Sequence, residues 1–247
     1  MKKKKIRLDL ALLEKKFAPS RERAKRIIMT GKVFVNNIVV DKPGALINVD
    51  ADIICKEKDF PFVSRGGLKL EKAIKELSID VKDLKCMDIG ASTGGFTHCL
   101  LKRGALKIFA VDVGYGQFDW KLRQNPKVIV IERTNIRYMP YEKIGEKLDL
   151  IVIDTSFISL KIVIPSAEKF MKNPCRILAL IKPQFEAGRG EVGKGGVVRD
   201  ENIRNKVLHD IKYFFIDRGY EACNIVPSPI LGPKGNKEYI ISLKYFH

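Results

Sequence analysis

Cys86-Met-Asp-Ile-Gly-Ala-Ser-Thr-Gly-Gly-Phe-Thr97 decides how this 247-residue chain is read. A short apolar run, strand-like in length, passes into a glycine-rich turn and then into a helical pattern. Gly90, Gly94 and Gly95 let the backbone turn sharply and approach a ligand closely. Asp88, at the strand's end, departs from the dinucleotide fingerprint, which opens with glycine and seats a pyrophosphate on a helix N-terminus. A carboxylate at that point repels phosphate and suits a cationic ligand. The next apolar run ends at Asp112, 24 residues after Asp88. In a doubly wound sheet an acid so placed faces the same crevice and accepts ribose hydroxyl protons. S-adenosylmethionine has both features, a cationic amino and sulfonium end and a ribose. The expected class is therefore an AdoMet-dependent methyltransferase, and the plain alternative is a tight turn beside an incidental Asp.

Outward from this loop, short apolar strands are expected at Cys86–Ile89, Ile108–Val113, Val128–Ile131, Leu148–Ile153 and Ile177–Ile181, separated by helical or loop segments. Leu70, Ala73, Ile74 and Leu77 mark one helix face at i, i+3, i+4, i+7. Asp200 is placed to cap a helix running through Arg218. Ala222–Val226 and Tyr239–Leu243 read as a hairpin across the Pro/Gly-rich stretch 227–235. This alternation is the pattern of a doubly wound α/β sheet.

Before residue 60 the texture differs. Residues 7–29 carry a helical period broken at Pro19-Ser20, with Ser20 as cap of a second helix and Gly31 as its stop. Val33–Val35, Asn36-Asn37 and Ile38–Val40 read as strand, tight turn, strand, with Pro43-Gly44 a further turn and Asp52–Ile54 a short strand. The expected division is 1–59 for this module, 60–63 for a linker and 64–247 for the α/β domain.

Lys and Arg number 46 against 29 Asp and Glu, a net charge of +17, which calls for a polyanionic partner. Residues 1–63 hold 15 basic and 8 acidic residues, a charge density about twice that of the remainder, so the N-terminal module is the expected binder. A hydrophobic content of 45% argues against disorder. No apolar run approaches the roughly 20 residues of a membrane span, and polar residues follow the lysine-rich start, so neither a secretory signal nor stable membrane association is expected. Five scattered cysteines (Cys55, Cys86, Cys99, Cys175, Cys223) and three histidines (His98, His209, His247) fit reduced thiols in a cytoplasmic protein, with no metal site expected.

Polar residues at strand ends are the remaining candidates, because ligands of open α/β sheets sit there. Asp154 follows Leu148–Ile153, Lys182 follows Ile177–Ile181, Glu238 opens the last strand, and Lys69 flanks the apolar row of a helix. Each alone is an ordinary edge residue; their convergence on one crevice favours function. Ser64-Arg-Gly-Gly-Leu-Lys-Leu70, Asp88-Ile-Gly-Ala-Ser-Thr-Gly-Gly-Phe96, Asp154-Thr-Ser-Phe-Ile-Ser-Leu160 and Ile181-Lys-Pro-Gln-Phe-Glu186 resemble the TlyA family. Its members carry the names hemolysin and rRNA 2′-O-methyltransferase. The resemblance spans nearly the whole chain, since residues 7–54 look like the S-four (alpha-L) RNA-binding module that precedes the family's FtsJ-like domain. It implies a Rossmann-like doubly wound methyltransferase sheet with a small N-terminal α+β RNA-binding domain. It also implies a Lys-Asp-Lys-Glu tetrad, which falls on Lys69, Asp154, Lys182 and Glu238, and cytidine 2′-hydroxyls of 16S and 23S rRNA as targets.

The expected chemistry is in-line methyl transfer to a ribose hydroxyl, with Lys182 as base, Lys69 beside it, and the two acids positioning the lysines. A lysine serves as base only where a neighbouring cation or desolvation lowers its pKa. Expected cofactor contacts are Asp88, Gly90, Ser92, Gly94, Gly95, Phe96, Asp112, Val113, Asn135 and Asp154. Expected RNA contacts are Arg7, Arg21, Arg23, Lys25, Arg26, Lys32 and Arg65, with ribosomal RNA and ribosomal subunits as partners. The glycine-rich stretch Glu186–Gly196 reads equally as an RNA-closing loop or a plain connector. A membrane-active hemolysin and a non-catalytic RNA-binding assembly factor are the competing functions.

Overall fold

The computed structural model describes residues 5–29, 31–55, 61–188, 190–232 and 234–246. Met1–Lys4 of the basic start, residues 56–60 at the expected domain boundary and Arg189 lie outside the described residues, as do the side chains of Arg26 and Cys223. The chain divides into two compact units, Met1–Phe60 and Pro61–His247.

In the first unit β1 (Lys5–Arg7) leads into α1 (Leu8–Glu14) and α2 (Arg21–Met29), followed by β2 (Val33–Val35), β3 (Ile38–Val39), β4 (Leu46–Asn48) and β5 (Ile53–Cys55). Ser20 Oγ accepts from Arg23 N at 3.2 Å, and Gly31 leaves the helix with a φ of +69°. Asn36 and Asn37 both have positive φ, as a two-residue hairpin with right-handed twist requires. The order β3-β2-β5 forms one small sheet, and β1 pairs antiparallel with β4 as a second. Leu8, Leu12, Ile27, Ile28, Val33 and Ile53 are buried together as its core.

The second unit runs α3 (Gly66–Glu76), β6 (Lys85–Ile89), α4 (Gly95–Lys102), β7 (Lys107–Val111), α5 (Trp120–Arg123), β8 (Val128–Ile131), β9 (Leu148–Ile153), α6 (Leu160–Ala167), β10 (Met171–Ile181), α7 (Pro183–Glu186), α8 (Glu201–Ile216), β11 (Glu221–Pro227) and β12 (Tyr239–Tyr245). The seven strands lie in the order β11-β12-β10-β9-β6-β7-β8, parallel except for β12. Alternate strand residues pack on opposite faces. Met87, Ile151, Ile177 and Ile241 meet α6 and α8, while Cys86, Leu150, Leu178 and Ile240 meet α3 and α4. Strands covered on both faces are apolar throughout, which is why they read as unbroken runs.

Several boundaries differ from the sequence reading, and three of them have an evident physical reason. The strand expected at Ile108–Val113 ends at Val111; Asp112 N still makes a last ladder bond to Ile131 O, but the Asp112 carboxylate is taken by the glycine loop. β10 begins at Met171 rather than Ile177; its early residues are polar on an exposed margin and lack the apolar signal. The helix capped by Asp200 closes at Ile216, with Gly219 in a left-handed turn after it.

Two helix N-termini approach unusually closely beside the sheet. A Cβ on Gly67 would overlap the Phe62 ring, and one on Gly95 would overlap Ser64 Oγ. Gly67→Ala should therefore cost about 1–3 kcal/mol, as overpacking of a filled site does. Gly190→Ala, with open space around the added carbon, should stay within about 0.5 kcal/mol. Urea unfolding of the two variants beside wild type checks both.

Candidate active site

Strand register assembles the site. Ile89 of β6 pairs with Ile153 of β9, so Gly90 and Asp154 leave the sheet side by side. A Cβ on Gly90 would lie 2.6 Å from Asp154 O, so the turn closes only with glycine, at φ +83°. Here the strand order reverses, with β7 on one side of β6 and β9, reached only after β8, on the other, which is where doubly wound sheets bind ligands. Ile181 of β10 pairs with Tyr239 of the antiparallel β12. Lys182 and Glu238, next in line, therefore emerge at the same edge although they lie at opposite ends of their strands.

A cavity of about 650 Å³ opens on this edge, a volume ordinary for a small-molecule site. Its wall brings together Lys69, Asp154, Lys182 and Glu238. Lys182 Nζ lies 2.5 Å from Asp154 Oδ1 and donates to Ser156 Oγ at 3.0 Å. Lys69 Nζ lies 3.8 Å from Asp154 Oδ2 and 2.7 Å from Glu238 Oε2. The four charges thus alternate along one chain, Lys182, Asp154, Lys69, Glu238. Both lysines are 8% exposed and Glu238 is 2% exposed. Ion pairs this buried are held by geometry rather than left to solvent.

Asp88, Gly90, Ser92, Gly95, Phe96 and Arg65 line the same cavity. Asp88 is fully buried, and its Oδ2 accepts from Thr97 N at 2.9 Å and Thr97 Oγ1 at 2.7 Å. Its Oδ1 has no partner among the described residues, nor has Oε1 of Gln184 or of Glu238, both also in the wall. Burial pushes the Asp88 carboxyl up to about 7, against the Thr97 bonds, and the nearby Asp154 charge adds to the rise.

Four expected cofactor contacts lie elsewhere. Gly94 is packed beneath Leu122 and Phe118 with φ +89°, shaping the loop from behind. Asp112 accepts from Ser92 N and Gly114 N, each at 2.7 Å, and forms a small hollow beside the main cavity with Ser92, Tyr115 and Gln117. Val113 is 68% exposed, and Asn135 turns its Oδ1 to Arg137 N at 3.1 Å.

In the first unit Arg7 and Arg21 both bond Asp9, Lys25 reaches Glu22 at 2.8 Å, and Arg23 and Lys32 are half-buried. Several contributors escaped the sequence reading. Ser156 and Glu186 sit inside the quoted motifs, and Glu186 accepts from Ser159 Oγ at 2.6 Å and Leu160 N at 2.8 Å, tying α7 to the start of α6. Phe157, at φ +64° and 90% exposed, lies over Phe185 with ring centroids 4.9 Å apart at the cavity mouth. Asn236 holds the glycine-rich stretch from its far end, donating to Gly196 O at 2.8 Å and accepting from Val198 N at 2.9 Å.

The strand order, the switch-point cavity and the acid beside the glycine loop define a doubly wound protein of the methyltransferase class. Residues 62–245 match the FtsJ-like methyltransferase family and residues 6–53 the S4 domain. The chain is 46% identical over 246 residues to YqxC of Bacillus subtilis (strain 168), named provisionally for rRNA methylation, covering 99% of this chain and 88% of that one. It is 40% identical over 242 residues to the 16S/23S rRNA (cytidine-2′-O)-methyltransferase TlyA of Mycobacterium tuberculosis (strain ATCC 25618 / H37Rv), covering 98% and 90%. A solved structure from Streptococcus thermophilus, named provisionally as a hemolysin, superposes with a TM-score of 0.78 at 40% identity, covering 99% and 90%. The chain belongs to the FtsJ-like methyltransferase family and, within it, to the TlyA group. Among the described residues no helix is long and apolar enough to cross a membrane.

Removing Asp154 would leave two buried ammonium groups with no carboxylate between them. Asp154→Ala should cost about 3–5 kcal/mol in urea unfolding. Adding Lys182→Met to it should recover part of that loss, a coupling of about 0.5–3 kcal/mol read from the double-mutant cycle.

Proposed function

We propose that this protein transfers a methyl group from S-adenosylmethionine to a ribose 2′-hydroxyl of ribosomal RNA. The observation that carries the reading is the buried alternation of Lys182, Asp154, Lys69 and Glu238 in the wall of the cavity that also holds Asp88. The residues present fit the cofactor. Asp88 Oδ1, buried without a partner among the described residues, suits the ligand's ammonium group; Gly90 and Gly95 keep the wall free of side chains there. Bound against Asp88, S-adenosylmethionine supplies an electrophilic methyl group. Asp112, whose carboxylate orders Ser92 and Gly114, stands beside the cavity on the side expected for the ribose.

Lys182 Nζ, aimed by Asp154 Oδ1 and Ser156 Oγ, takes the hydroxyl proton in its neutral amine form as the ribose oxygen attacks, and the Asp154 carboxylate then holds the ammonium that results. Lys69, held between Asp154 and Glu238, fixes the carboxylate that aims Lys182 and offers a cation to the sugar oxygens. Phe157 and Phe185 present an aromatic face at the mouth, of the kind on which unpaired bases stack. The relative named for cytidine 2′-O-methylation of 16S/23S rRNA supports cytidine in either rRNA as the target. The matched S4 domain and the basic charge of residues 1–63 support RNA binding by the first unit, and an rRNA substrate supports a cytoplasmic location.

Labelled methyl from S-adenosylmethionine should appear on ribose 2′-oxygens of unmethylated ribosomal subunits. Lys182→Met should lower that transfer at least about 100-fold while the cofactor still binds. Near-wild-type turnover in this variant would remove Lys182 from the mechanism, and label on bases alone would overturn the ribose target.

The Asp88 carboxyl is neutral below about pH 7 and ionised above it. A cationic ligand prefers the ionised form, so cofactor affinity should rise with pH, about tenfold per unit below the midpoint, and level off above it. Without ligand the sign reverses. The raised native pKa lets the folded state hold the proton longer, so this group costs stability as pH climbs from about 4 to about 7. Titration calorimetry at several pH values, with Asp88→Asn weaker and flat, checks the first expectation.

A further inference from the structure

Arg7, Asp9 and Arg21 come from the end of β1, the first turn of α1 and the first residue of α2. Asp9 is wholly buried, yet it meets two arginines whose side chains are 43% and 47% exposed. Arg7 Nε donates to Asp9 Oδ1 at 3.0 Å and Arg7 Nη2 to Oδ2 at 3.1 Å, a two-pronged pairing. Arg21 Nε donates to Oδ2 at 3.0 Å, and Leu10 N to Oδ1 at 3.1 Å. Four donors on one carboxylate hold the Asp9 group at about 2, led by the Arg7 bond, so the charge persists at any physiological pH.

The bonds to Asp9 use Nε and Nη2 of Arg7 and only Nε of Arg21. They do not engage Arg7 Nη1 or either Nη of Arg21, and a guanidinium carries five N–H donors in a rigid plane. Gly44 makes room for the arrangement, since a Cβ there would lie 3.4 Å from Arg7 Nη1 and Nη2. Two guanidinium groups against one carboxylate leave a net charge of +1 at an exposed surface. Long basic side chains ordinarily lose rotamer freedom on binding. Here that loss has already been met in folding.

We propose that Arg7 and Arg21, fixed in place by Asp9, form a preorganised site for one phosphate of an RNA backbone, with Asp9 as its positioning residue. The proposal rests on the RNA reading above and adds the group that makes two arginines one site. It opposes the simple charge account on a question of sign. Neutralising Asp9 raises the net charge by one. If the arginines acted as charges alone, RNA would bind as well or more tightly. If their fixed geometry matters, RNA binds more weakly despite the added positive charge.

The experiment is filter binding of the full-length protein to in vitro transcribed 16S and 23S rRNA at several salt concentrations. Asp9→Asn should weaken binding about 5- to 20-fold. Glu14→Gln, the same charge change at an exposed position of α1, should leave binding unchanged or slightly tighter. Because Asp9→Asn alters a buried group and can disturb folding, Arg21→Lys serves as the second variant. It keeps the charge at an exposed side chain, removes the planar fork, and should weaken binding about 3- to 10-fold with melting temperature near wild type. Wild-type affinity in Arg21→Lys, or affinity at or above wild type in a folded Asp9→Asn protein, overturns the site while leaving RNA binding intact. A wild-type protein that binds neither rRNA overturns the RNA reading and the site with it.

Discussion

Because β12 runs against its neighbours, Tyr239 pairs with Ile181, and the residue before one and the residue after the other share an edge. That antiparallel pairing is the constraint on which the site depends. Asp154 and Lys182 sit at the carboxyl ends of parallel strands, where any doubly wound sheet collects its ligand-binding groups. Glu238 joins them from the amino end of its strand only because that strand is reversed. With β12 parallel, Glu238 would stand at the opposite edge of the sheet and Lys69 would lose its nearest carboxylate. The hairpin of β11 and β12 therefore completes the cluster and also closes one side of the sheet.

Burying four charges needs a reason beyond stability. Each ion taken from water costs several kcal/mol, and well-packed apolar side chains would fill such a site at least as stably. The alternation of sign along Lys182, Asp154, Lys69 and Glu238 offsets that cost without explaining why charges are there. The neighbouring wall shows the same bias, with oxygens of Asp88, Gln184 and Glu238 buried without partners among the described residues. Polar groups left in this state are ready for a polar ligand, and leaving them so is tolerable only in a cavity that such a ligand fills. Chemistry, not folding energy, accounts for the composition of this edge.

The sheet was largely legible because its strands are covered on both faces and so form unbroken apolar runs. β9 reads end to end as Leu148–Ile153. β10 reads only in its second half, because Lys172, Asn173 and Pro174 lie on an exposed margin. β4 escaped notice: three residues pairing with β1 have no period of their own, and only the tertiary pairing of Ile6 with Ile47 makes them a strand. Asp88 and Asp154 were visible as acids after apolar runs. Glu238 was visible only as a polar residue opening the last strand, since an acid before a strand says little until the direction of that strand is known; the family resemblance supplied its place in the tetrad. Asp9 lay in a polar-looking helix start and gave no sign of burial, because what buries it is a pair of arginines, residues that sequence patterns assign to the surface. The Asp112 carboxylate was visible as an acid closing an apolar run, but its bonds to Ser92 N and Gly114 N, which order the glycine loop, depend on loop geometry that no sequence pattern shows.

Asp9 and Asp154 are the same device put to different ends. Each is a carboxylate between two cations, but Asp9 holds arginines and Asp154 holds lysines. A guanidinium can grip a carboxylate with one edge and still present donors along another, and it keeps its charge at every physiological pH. An ammonium has one nitrogen, and its proton is exchangeable with a substrate hydroxyl in a way that a guanidinium's is not. The exposure follows the chemistry: the arginine side chains stand 43% and 47% open, whereas the lysine side chains alone are closed to 9% and 10%. Exchanging the two kinds of cation would keep every formal charge in place. It would leave a surface cluster with fewer directed donors and a buried cluster unable to give up a proton.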